Sequence, residues 1–437
     1  ENGEIIMQKG YGYSNIDKEI MVTNTTGFNI GSISKTVAAW GVMKLVQEGK
    51  IDLDAPAEKY LTRWHLPTSE FDTDKVTIRR LLSHTAGLSL HGYPGWSPKD
   101  ELPTIEESLD GKNNGPGRVE IIMEPGTKWK YSGGGFSMLQ LIIEEVTKQK
   151  FEEYMQTEIL NPLGMTASSY TIDKKIMKAS SLEHNGFGEV IDFELFTAQA
   201  AAGLHTTIND FTKFAQASLY ANKKNQQQIL STSYLQQMME PAPASNGSYG
   251  LGYQIESIKG TSMTLAGHGG ANSGWHAFLR VNPVTNDGFI MMTNGGAGHT
   301  IYRQVYCDWV YWKTGESMGN RCHIVPSIAN KMKTIIDTEG IDKIESQYLD
   351  LKKKEANGYN FSEDQLNQLG YHYLGKDNVD FAIAIFKINV DAFPTSSNVY
   401  DSYGEALLKR GEKEKAIENY LKSLELNPAN EGGIKVL

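Results

Sequence analysis

The sequence predicts a mixed α+β domain that is followed by an all-helical region. After Ser32, apolar residues recur at helical spacing, whereas residues 249–295 contain four runs with the pattern of β-strands. In the last part of the chain, four pairs of residues are separated by 34 positions, as in a helical repeat. A chain of 437 residues is long enough for two or three such domains.

The composition is that of an ordinary globular protein. Hydrophobic residues make up 40% of the chain and charged residues 22%, and the formal net charge is −10. Because there is no basic tract, we expect neither nucleic acid nor an anionic membrane surface as a partner. No apolar run approaches the length of a bilayer span, so we expect no membrane span.

The chain contains only two cysteines, Cys307 and Cys322. A disulfide between them would suit an exported protein, and two unpaired buried thiols fit the sequence at least as well. The histidines and cysteines do not have the spacing of a metal site. We therefore expect neither a metal nor a cofactor.

The first residues have the pattern of a hairpin whose first strand is absent. Residues 1–4 have the composition of a turn, and residues 5–8 alternate as a strand does. We therefore expect a processed or truncated form of a longer chain. Any export signal would be lost with the missing part.

The first motif is Ser32-x-x-Lys35, which occurs once in the chain. Ser32 lies at the start of a predicted helix, and Lys35 follows three residues later on the same face. A serine hydroxyl becomes a nucleophile when a neighbouring base takes its proton, and a desolvated lysine can be that base. The alternative is a helix-capping serine with a surface lysine.

A helix and a long loop are predicted next. Residues 76–88 have the pattern of a capped helix, and in it His84 fits better as a residue that ties down the helix end than as a base. Residues 91–128 are rich in Gly, Pro and Asn, and we expect them to form a loop over the site. The loop aromatics Tyr93 and Trp96 are candidate substrate-binding residues.

The second motif surrounds Tyr131, which we expect on a loop just before a helix. Three consecutive glycines, residues 133–135, follow it and allow backbone or substrate to approach closely. Tyr131 is therefore a candidate site residue. The alternative is a core tyrosine before a flexible turn.

The third motif, His268-Gly269-Gly270, lies in a region of strand periodicity. It falls between two predicted strands, and Trp275 follows it. Four strands are predicted, at residues 249–255, 262–267, 275–281 and 289–294. An aromatic helix at residues 301–312 should pack back on this sheet.

The C-terminal part has the pattern of a tetratricopeptide repeat, whose period is 34 residues. The residues that match at this spacing are Gly370 and Gly404, Ala382 and Ala416, Phe386 and Tyr420, and Pro394 and Pro428. We assign the repeats to residues 361–431. Residues 316–360 are predicted as a linker with a degenerate helical pair.

The three motifs, in this order, resemble those of the penicillin-binding-protein-like serine hydrolases. This family includes class C β-lactamases, D-Ala-D-Ala carboxypeptidases, D-aminopeptidases and β-lactamase-fold esterases. The resemblance covers about residues 1–312, and we assign the hydrolase domain to residues 1–315. It implies an antiparallel sheet flanked by helices, with an all-helical subdomain beside it.

The resemblance also implies a role for each motif. Ser32 would attack a carbonyl group to form an acyl-enzyme, and Lys35 and Tyr131 would share the proton transfer. The backbone N–H groups of Ser32 and Ala271 would form the oxyanion hole. His268 stands where many relatives carry lysine, and it would contact Tyr131 or a substrate carboxylate.

Two departures from the family pattern affect these expectations. Relatives often carry asparagine at the position of Gly133, so recognition of amides and β-lactams is in doubt. The family's first helix and strand also lack a counterpart in the sequence. Gly269, Gly270 and Trp275 complete the candidate substrate-binding residues, together with Gly133.

We therefore predict a serine hydrolase that acts on an ester, an amide or a D-amino-acid peptide. The alternatives are a true β-lactamase or D-Ala-D-Ala carboxypeptidase, and a catalytically idle module that recruits partners through its repeats. The expected partners are a small-molecule or peptide substrate and a protein bound by the repeats. If a signal has been removed, we expect a location in the bacterial cell envelope.

Overall fold

The computed structural model describes residues 1–112, 117–220, 228–322 and 324–436. The predicted loop at 91–128 includes residues 113–116, which lie outside the described residues. The chain forms two compact units, Glu1–Cys322 and His323–Leu437. The first unit is α+β and the second is all-helical, as the sequence predicts. The proposed boundaries at 315 and 360 stay predictions.

The strands of the first unit form antiparallel sheets. The four-stranded sheet has the order β5-β6-β7-β8, and the pairs β1-β2 and β3-β4 form two small sheets. The strands are β1 (Tyr13–Asn15), β2 (Ile20–Met21), β3 (Gly27–Asn29), β4 (His205–Thr207), β5 (Gln254–Ser257), β6 (Thr264–Ala271), β7 (His276–Asn282) and β8 (Asp287–Thr293).

In the described part of the first unit, ten α-helices accompany these strands. They are α1 (Ile33–Gln47), α2 (Ile78–Leu82), α3 (Ile105–Leu109), α4 (Gly133–Thr147), α5 (Phe151–Met155), α6 (Lys174–Ala179), α7 (Gln199–Ala202), α8 (Ile208–Ala217), α9 (Thr232–Met239) and α10 (Gly298–Thr314). A π-helical turn, Gln156–Leu160, continues α5. Short 3₁₀ helices lie at Ala57–Tyr60, Thr73–Lys75, Pro243–Ser245 and Gly319–Cys322.

Helices α1 and α4 occupy the centre of the first unit. Most residues of both helices are buried, and Trp40 of α1 is only 1% exposed. A helix that is apolar on all sides belongs in a core, because each face needs an apolar partner. The two helices contact each other, and α1 also contacts β6 and β7. This packing places the beginnings of both helices near the end of strand β6.

The sheet differs from the prediction at the third motif. His268, Gly269 and Gly270 belong to β6 itself, which continues to Ala271 and pairs there with His276 of β7. The two glycines and the alanine at this strand end have little intrinsic strand preference, so periodicity alone placed them in a loop. Tertiary pairing extends the strand.

The beginning of the chain also differs from the prediction. Residues 5–8 form no strand, and Ile5, Ile6 and Met7 are exposed. A strand needs a neighbour for its backbone hydrogen bonds, and this segment pairs with no strand of the described residues. The first hairpin is instead formed by β1 and β2.

The second unit consists of helices. They are α11 (Ile328–Glu339), α12 (Ile344–Lys354), α13 (Glu363–Gly375), α14 (Val379–Ala392), α15 (Ser397–Arg410), α16 (Lys413–Leu426) and α17 (Glu431–Val436), with a 3₁₀ turn at Ile341–Lys343. Helices α11 and α12 fall in the segment that was predicted to contain a degenerate helical pair.

A matched glycine and a matched aromatic residue of the repeat meet in each of the helix pairs α13–α14 and α15–α16. A Cβ on Gly370 would lie 2.3 Å from the ring of Phe386, and one on Gly404 would lie 3.3 Å from the ring of Tyr420. The small residue of one helix therefore accommodates the aromatic ring of the next in both repeats. The tetratricopeptide assignment itself stays a prediction.

Two features of the whole chain bear on its environment. Cys307 of α10 and Cys322 form a disulfide, which decides between the two alternatives that the sequence left open. Within the described residues, we find no helix with both the length and the apolar character that a bilayer crossing needs.

Candidate active site

Ser32 is positioned by the close approach of two backbone segments. It immediately precedes helix α1, and Gly31 before it has φ +51°. A Cβ on Gly31 would lie 2.6 Å from the Ala271 nitrogen, and one on Gly270 would lie 1.9 Å from the Ile30 carbonyl oxygen. Only glycine fits at both positions. The backbone of Ser32 therefore lies beside the end of strand β6.

Asn29 holds these two segments together. Its Oδ1 accepts hydrogen bonds from the Gly31 N–H and from Nδ2 of Asn272, both at 2.7 Å. Its Nδ2 donates to the Ala202 carbonyl at 3.1 Å, and Asn272 Nδ2 lies 3.3 Å from the same oxygen. One amide side chain thus fixes the turn before Ser32 to the residue after Ala271, so the two expected oxyanion donors share one frame.

Lys35 lies within reach of the Ser32 hydroxyl. Its Nζ is 3.2 Å from Ser32 Oγ and donates to the Ala201 carbonyl at 2.8 Å. The side chain is 2% exposed, and it forms no salt bridge with any described residue. Burial lowers the pKa of Lys35 to about 7. A substantial fraction of the amine is therefore unprotonated at neutral pH and able to accept the Ser32 proton.

Tyr131 lies close to both Lys35 and Ser32. The Lys35 Nζ is 5.0 Å from the centre of its ring. Burial raises the pKa of the Tyr131 phenol, and the neighbouring Ser32 hydroxyl opposes this shift. The phenol oxygen is buried and makes no well-aligned hydrogen bond to any described residue. Tyr131 is therefore a neutral group next to Ser32 that is able to donate a proton.

The glycines after Tyr131 form the first turn of α4 rather than a flexible loop. The Ser132 side chain caps this helix by accepting a hydrogen bond from the Gly135 N–H. His84 supports the same segment, because its Nδ1 accepts the Ser132 N–H at 3.1 Å and its ring lies 4.3 Å from that of Tyr131. Burial keeps the pKa of His84 well below its usual value, so His84 is a neutral support.

His268 is neutral as well. Its Nδ1 donates to the Gly269 carbonyl at 2.5 Å, so its Nε2 accepts the Tyr249 hydroxyl at 3.0 Å. Burial lowers the pKa of His268 to about 3, with the charge of Lys35 acting in the same direction. The ring centres of His268 and Tyr131 are 6.0 Å apart, so the hydrogen bond goes to Tyr249 instead of the expected partner.

These groups face one cavity of about 660 Å³. It brings together six residues that the sequence motifs single out: Ser32, Tyr131, His268, Gly269, Gly270 and Ala271. Lys35 lies beneath its floor. The other lining residues, which motif analysis missed, are His91, Trp129, Lys130, Gln254 and Tyr302. Within the described residues, no group of three or more His, Cys, Asp or Glu side chains is placed to hold a metal ion.

Four of the predicted substrate-binding residues lie outside this lining. Trp275 is 1% exposed and packs on Phe28. Tyr93 packs against the core with its hydroxyl buried, and Trp96 pairs through its backbone with Leu195. The sequence predicted that these aromatic rings would meet substrate, but burial of their apolar surface places Trp275 and Tyr93 in the scaffold instead.

Gly133 is the fourth of these residues, and it admits backbone rather than substrate. Its N–H donates to the His91 carbonyl at 3.0 Å, and a Cβ there would lie 2.9 Å from that oxygen. The absent side chain allows residue 91 to approach Tyr131, and the His91 and Tyr131 rings lie 4.9 Å apart. His91 thereby reaches the site from the predicted loop.

The lining residues that motif analysis missed differ in how clearly the sequence indicates them. Trp129 and Lys130 directly precede Tyr131, so their position in the motif could have indicated them. Gln254 and Tyr302 come from β5 and α10, far from any motif in the sequence. Only the packing of α10 against the sheet brings Tyr302 to the cavity.

The class of β-lactamase-like serine hydrolases is defined by three features that this site shows. They are a serine at the start of a buried helix, a lysine one turn later and a tyrosine before a second helix. A model of the Beta-lactamase family matches residues 1–304, which is more than half of the chain. The chain therefore belongs to the β-lactamase and penicillin-binding-protein-like family, as the motifs predicted.

Two relatives illustrate the similarity. Protein flp of Staphylococcus aureus (strain N315) is 26% identical over 306 residues, which cover 67% of this chain and 58% of that protein. The putative penicillin-binding protein PbpX of Bacillus subtilis (strain 168) is 28% identical over 264 residues, covering 58% of this chain and 60% of the relative. The chain thus spans less than two thirds of the length of these relatives.

Solved structures share the fold. The octameric penicillin-binding protein homologue from Pyrococcus abyssi has a TM-score of 0.60 and 24% identity, with 77% of this chain and 76% of that chain covered. SurE has a TM-score of 0.58 and 23% identity, with 72% and 70% covered. At such identities the likeness shows the fold.

Proposed function

We propose that this protein is a hydrolase that works through an acyl-enzyme on Ser32. The observation that carries the proposal is the buried Lys35 amine, 3.2 Å from Ser32 Oγ, with a pKa lowered to about 7. A surface lysine beside a capping serine would stay charged and solvated. Desolvation makes this lysine suitable as the base that activates the serine.

Each group then has a part in the reaction. Ser32 Oγ attacks the substrate carbonyl carbon while its proton passes to Lys35 Nζ. The Ser32 and Ala271 N–H groups stabilise the negative charge on the carbonyl oxygen. Tyr131, a neutral acid next to Ser32, protonates the leaving group. Water attacks the acyl-enzyme by the reverse proton transfers and releases Ser32.

Esters are the substrates that the site favours most. A β-lactam or peptide presents an amide group for recognition, and the loss of such a contact can cost several powers of ten in discrimination. Gly133 offers no side chain for it, and the His91 carbonyl occupies the adjacent space. An activated ester requires mainly the oxyanion donors. We therefore expect kcat/KM for short p-nitrophenyl esters to exceed that for nitrocefin.

Covalent labelling tests the proposal directly. The wild-type protein should gain the mass of one fluorophosphonate or penicillin adduct, located on the peptide that contains Ser32. Ser32→Ala should not be labelled, and its kcat should be lower by roughly a million-fold. Substantial turnover by Ser32→Ala in a clean preparation would contradict the proposal, as would labelling elsewhere.

A true β-lactamase or D-Ala-D-Ala carboxypeptidase is the second candidate. Their substrates carry a carboxylate, and the cavity contains Lys130, which pairs with no carboxylate of the described residues. Nitrocefin hydrolysis that is as efficient as ester hydrolysis would favour this candidate. Gly133→Asn does not offer a simple test, because its Cβ would meet the His91 carbonyl at 2.9 Å.

We also propose an exported location and a protein partner. The Cys307–Cys322 disulfide supports export, since such bonds persist in oxidising compartments. The helical second unit supports a partner-binding role for the predicted repeats.

The third candidate, a catalytically idle binding module, is disfavoured because Ser32, Lys35 and Tyr131 keep a reactive arrangement.

A further inference from the structure

Glu183 is a buried carboxyl group that the proposed chemistry does not use. The residue is only 1% exposed, and neither of its carboxyl oxygens makes a well-aligned hydrogen bond to any described residue. Burial of a charged carboxylate without a hydrogen-bond donor or a cation is costly, and a carboxyl group in such a place keeps its proton instead. The protonation state of Glu183 therefore matters for whatever packs against it.

The turn between strands β6 and β7 packs directly on Glu183. This turn, residues 272–275, follows the expected oxyanion donor Ala271 at the end of β6. A Cβ on Gly274 would lie 2.8 Å from the Cβ of Glu183, which is too close for any side chain at that position. The turn after Ala271 thus rests on the residue that carries the buried carboxyl group.

Glu194 holds the same turn from a second segment. Its carboxylate accepts the Ser273 hydroxyl at 2.6 Å and the Ser273 N–H at 3.4 Å. Burial raises the pKa of Glu183 to about 9, the charge of Glu194 acts in the same direction, and the Glu194 N–H opposes the shift. Because like charges close together are unfavourable, Glu183 is neutral while Glu194 is charged.

Glu194 is the one charged group among the described residues that acts on Glu183. The turn itself contains no acidic or basic side chain. The other titratable residues on the segments around the turn do not shift the pKa of Glu183, and they are His184, Glu189, Asp192, His205 and His276. A single proton therefore decides whether one or two negative charges lie beside this turn.

We propose that Glu183 is a positioning residue for the oxyanion hole and that its proton keeps the turn after Ala271 in place. Loss of this proton puts a second negative charge beside Glu194 and loosens the turn, so the site is switched off in alkaline solution. Asn272 of the turn is tied to Asn29, so a displaced turn also disturbs the segment before Ser32. The effect on activity rests on the proposed function, whereas the effect on stability does not.

Unfolding at different pH values tests the proton directly. The folded protein keeps the proton on Glu183 up to about pH 9, whereas the unfolded chain loses it near the ordinary pKa of 4.5. Rising pH between these values therefore favours the unfolded state. The unfolding equilibrium constant of the wild type, divided by that of Glu183→Gln, should increase about tenfold per pH unit between about pH 5.5 and 8.5. Above about pH 9 the ratio should level off, because Glu183 is then ionised in both states.

The rate of fluorophosphonate labelling at Ser32 tests the effect on the site. Above about pH 9 the wild-type rate should fall by about tenfold per pH unit, in step with the protonated fraction of Glu183. Glu183→Gln has the same shape and does not ionise, so it should keep its rate to about pH 10.5. Glu194→Gln should move the loss to lower pH, because the charge that helps to hold the proton on Glu183 is gone.

Glu145→Gln is the matched control. Glu145 is a buried glutamate of helix α4 whose carboxylate accepts hydrogen bonds from the Thr62 hydroxyl and the Arg63 N–H. The same amide substitution there lies on another element, away from the turn. Glu145→Gln should therefore lose labelling at the same pH as the wild type.

An alkaline loss of labelling that is identical in the wild type and Glu183→Gln would overturn the proposal, as would a ratio of unfolding constants that does not change with pH. If Glu183→Gln does not fold, Glu194→Gln decides, since a loss at unchanged pH contradicts the proposal and a loss at lower pH supports it. A wild type that is not labelled at any pH would instead count against the proposed function. The unfolding ratio then decides whether the proton on Glu183 holds the turn.

Discussion

At the scale of single residues, burial sets the protonation states of the side chains in the candidate site. Lys35 is buried and pairs with no carboxylate among the described residues, so burial disfavours its charged form and lowers its pKa to about 7. The same effect raises the pKa of Tyr131 and lowers those of His84 and His268. Near neutral pH, Lys35 is thus the group in the centre of the site that changes its protonation state.

We expect a pH dependence that follows Lys35. Its neutral form is the base, so kcat/KM for a p-nitrophenyl ester should rise with pH through about 7 and then level off. Initial rates across about pH 5.5–9, corrected for spontaneous hydrolysis, measure this profile. Lys35→Met is the control and should be nearly inactive throughout. A wild-type profile that is flat, or that falls with rising pH, would exclude Lys35 as the base.

Tyr131 should be required for proton transfer. Tyr131→Phe keeps the ring and removes the proton, so kcat should fall by about a hundred- to ten-thousand-fold. Tyr249→Phe is a matched change of a buried tyrosine that donates to His268. Tyr249→Phe should lower the free energy of unfolding by about 1–3 kcal/mol and have a smaller effect on kcat than Tyr131→Phe has. If kcat of Tyr131→Phe stays close to the wild-type value, Tyr131 contributes packing alone.

Among the secondary-structure elements, helix α1 and strand β6 build the site by their unusually close contact. Gly31 has a positive φ, and Gly270 lies against the Ile30 carbonyl, so neither position has room for a side chain. Asn29 then ties the same two segments through its side-chain amide. The backbone N–H groups of Ser32 and Ala271, the expected oxyanion donors, belong to these segments, so their spacing depends on the absence of two Cβ atoms.

The two neighbouring glycines of β6 provide a matched test of this contact. Gly270→Ala would place a Cβ 1.9 Å from the Ile30 oxygen, whereas Gly269→Ala would meet only a Phe278 ring carbon at 3.9 Å. We expect Gly270→Ala to cost about 1–3 kcal/mol of stability and, through displacement of about 1 Å, on the order of a hundredfold in activity. Gly269→Ala should stay folded and close to wild-type stability.

Thermal unfolding and the rate of fluorophosphonate labelling measure the two effects. Equal stability and equal labelling of the two alanine variants would show that the contact between β6 and the turn before Ser32 is not needed for the site.

At the scale of the whole molecule, the groups of the active site all lie within the first unit. Every residue that lines the cavity precedes Cys322, and the disulfide closes the end of this unit by joining α10 to its last residue. The second unit forms its own helical core around residues such as Phe386 and Leu369. Each unit buries an apolar interior, as an independently folding domain does.

We therefore expect a chain that ends at residue 322 to fold and to be labelled at Ser32 at the wild-type rate. The same truncated chain with Cys307→Ser should be less stable by about 3 kcal/mol, the value for closure of a 15-residue loop. Denaturant unfolding and intact-mass labelling measure both properties. A truncated chain that is folded but not labelled would show that the second unit helps to form the site.

The sequence by itself determined the class of protein, because Ser32, Lys35 and Tyr131 belong to motifs that are recognised from residue type and spacing alone. It also predicted that the second unit is all-helical, since a 34-residue spacing of matched residues can be read without tertiary information. The tertiary structure alone decided which other residues line the cavity. Burial moved Trp275 into the core, and packing of α10 brought Tyr302 to the cavity. These outcomes depend on contacts between distant segments, and the one-dimensional pattern does not encode which segments meet.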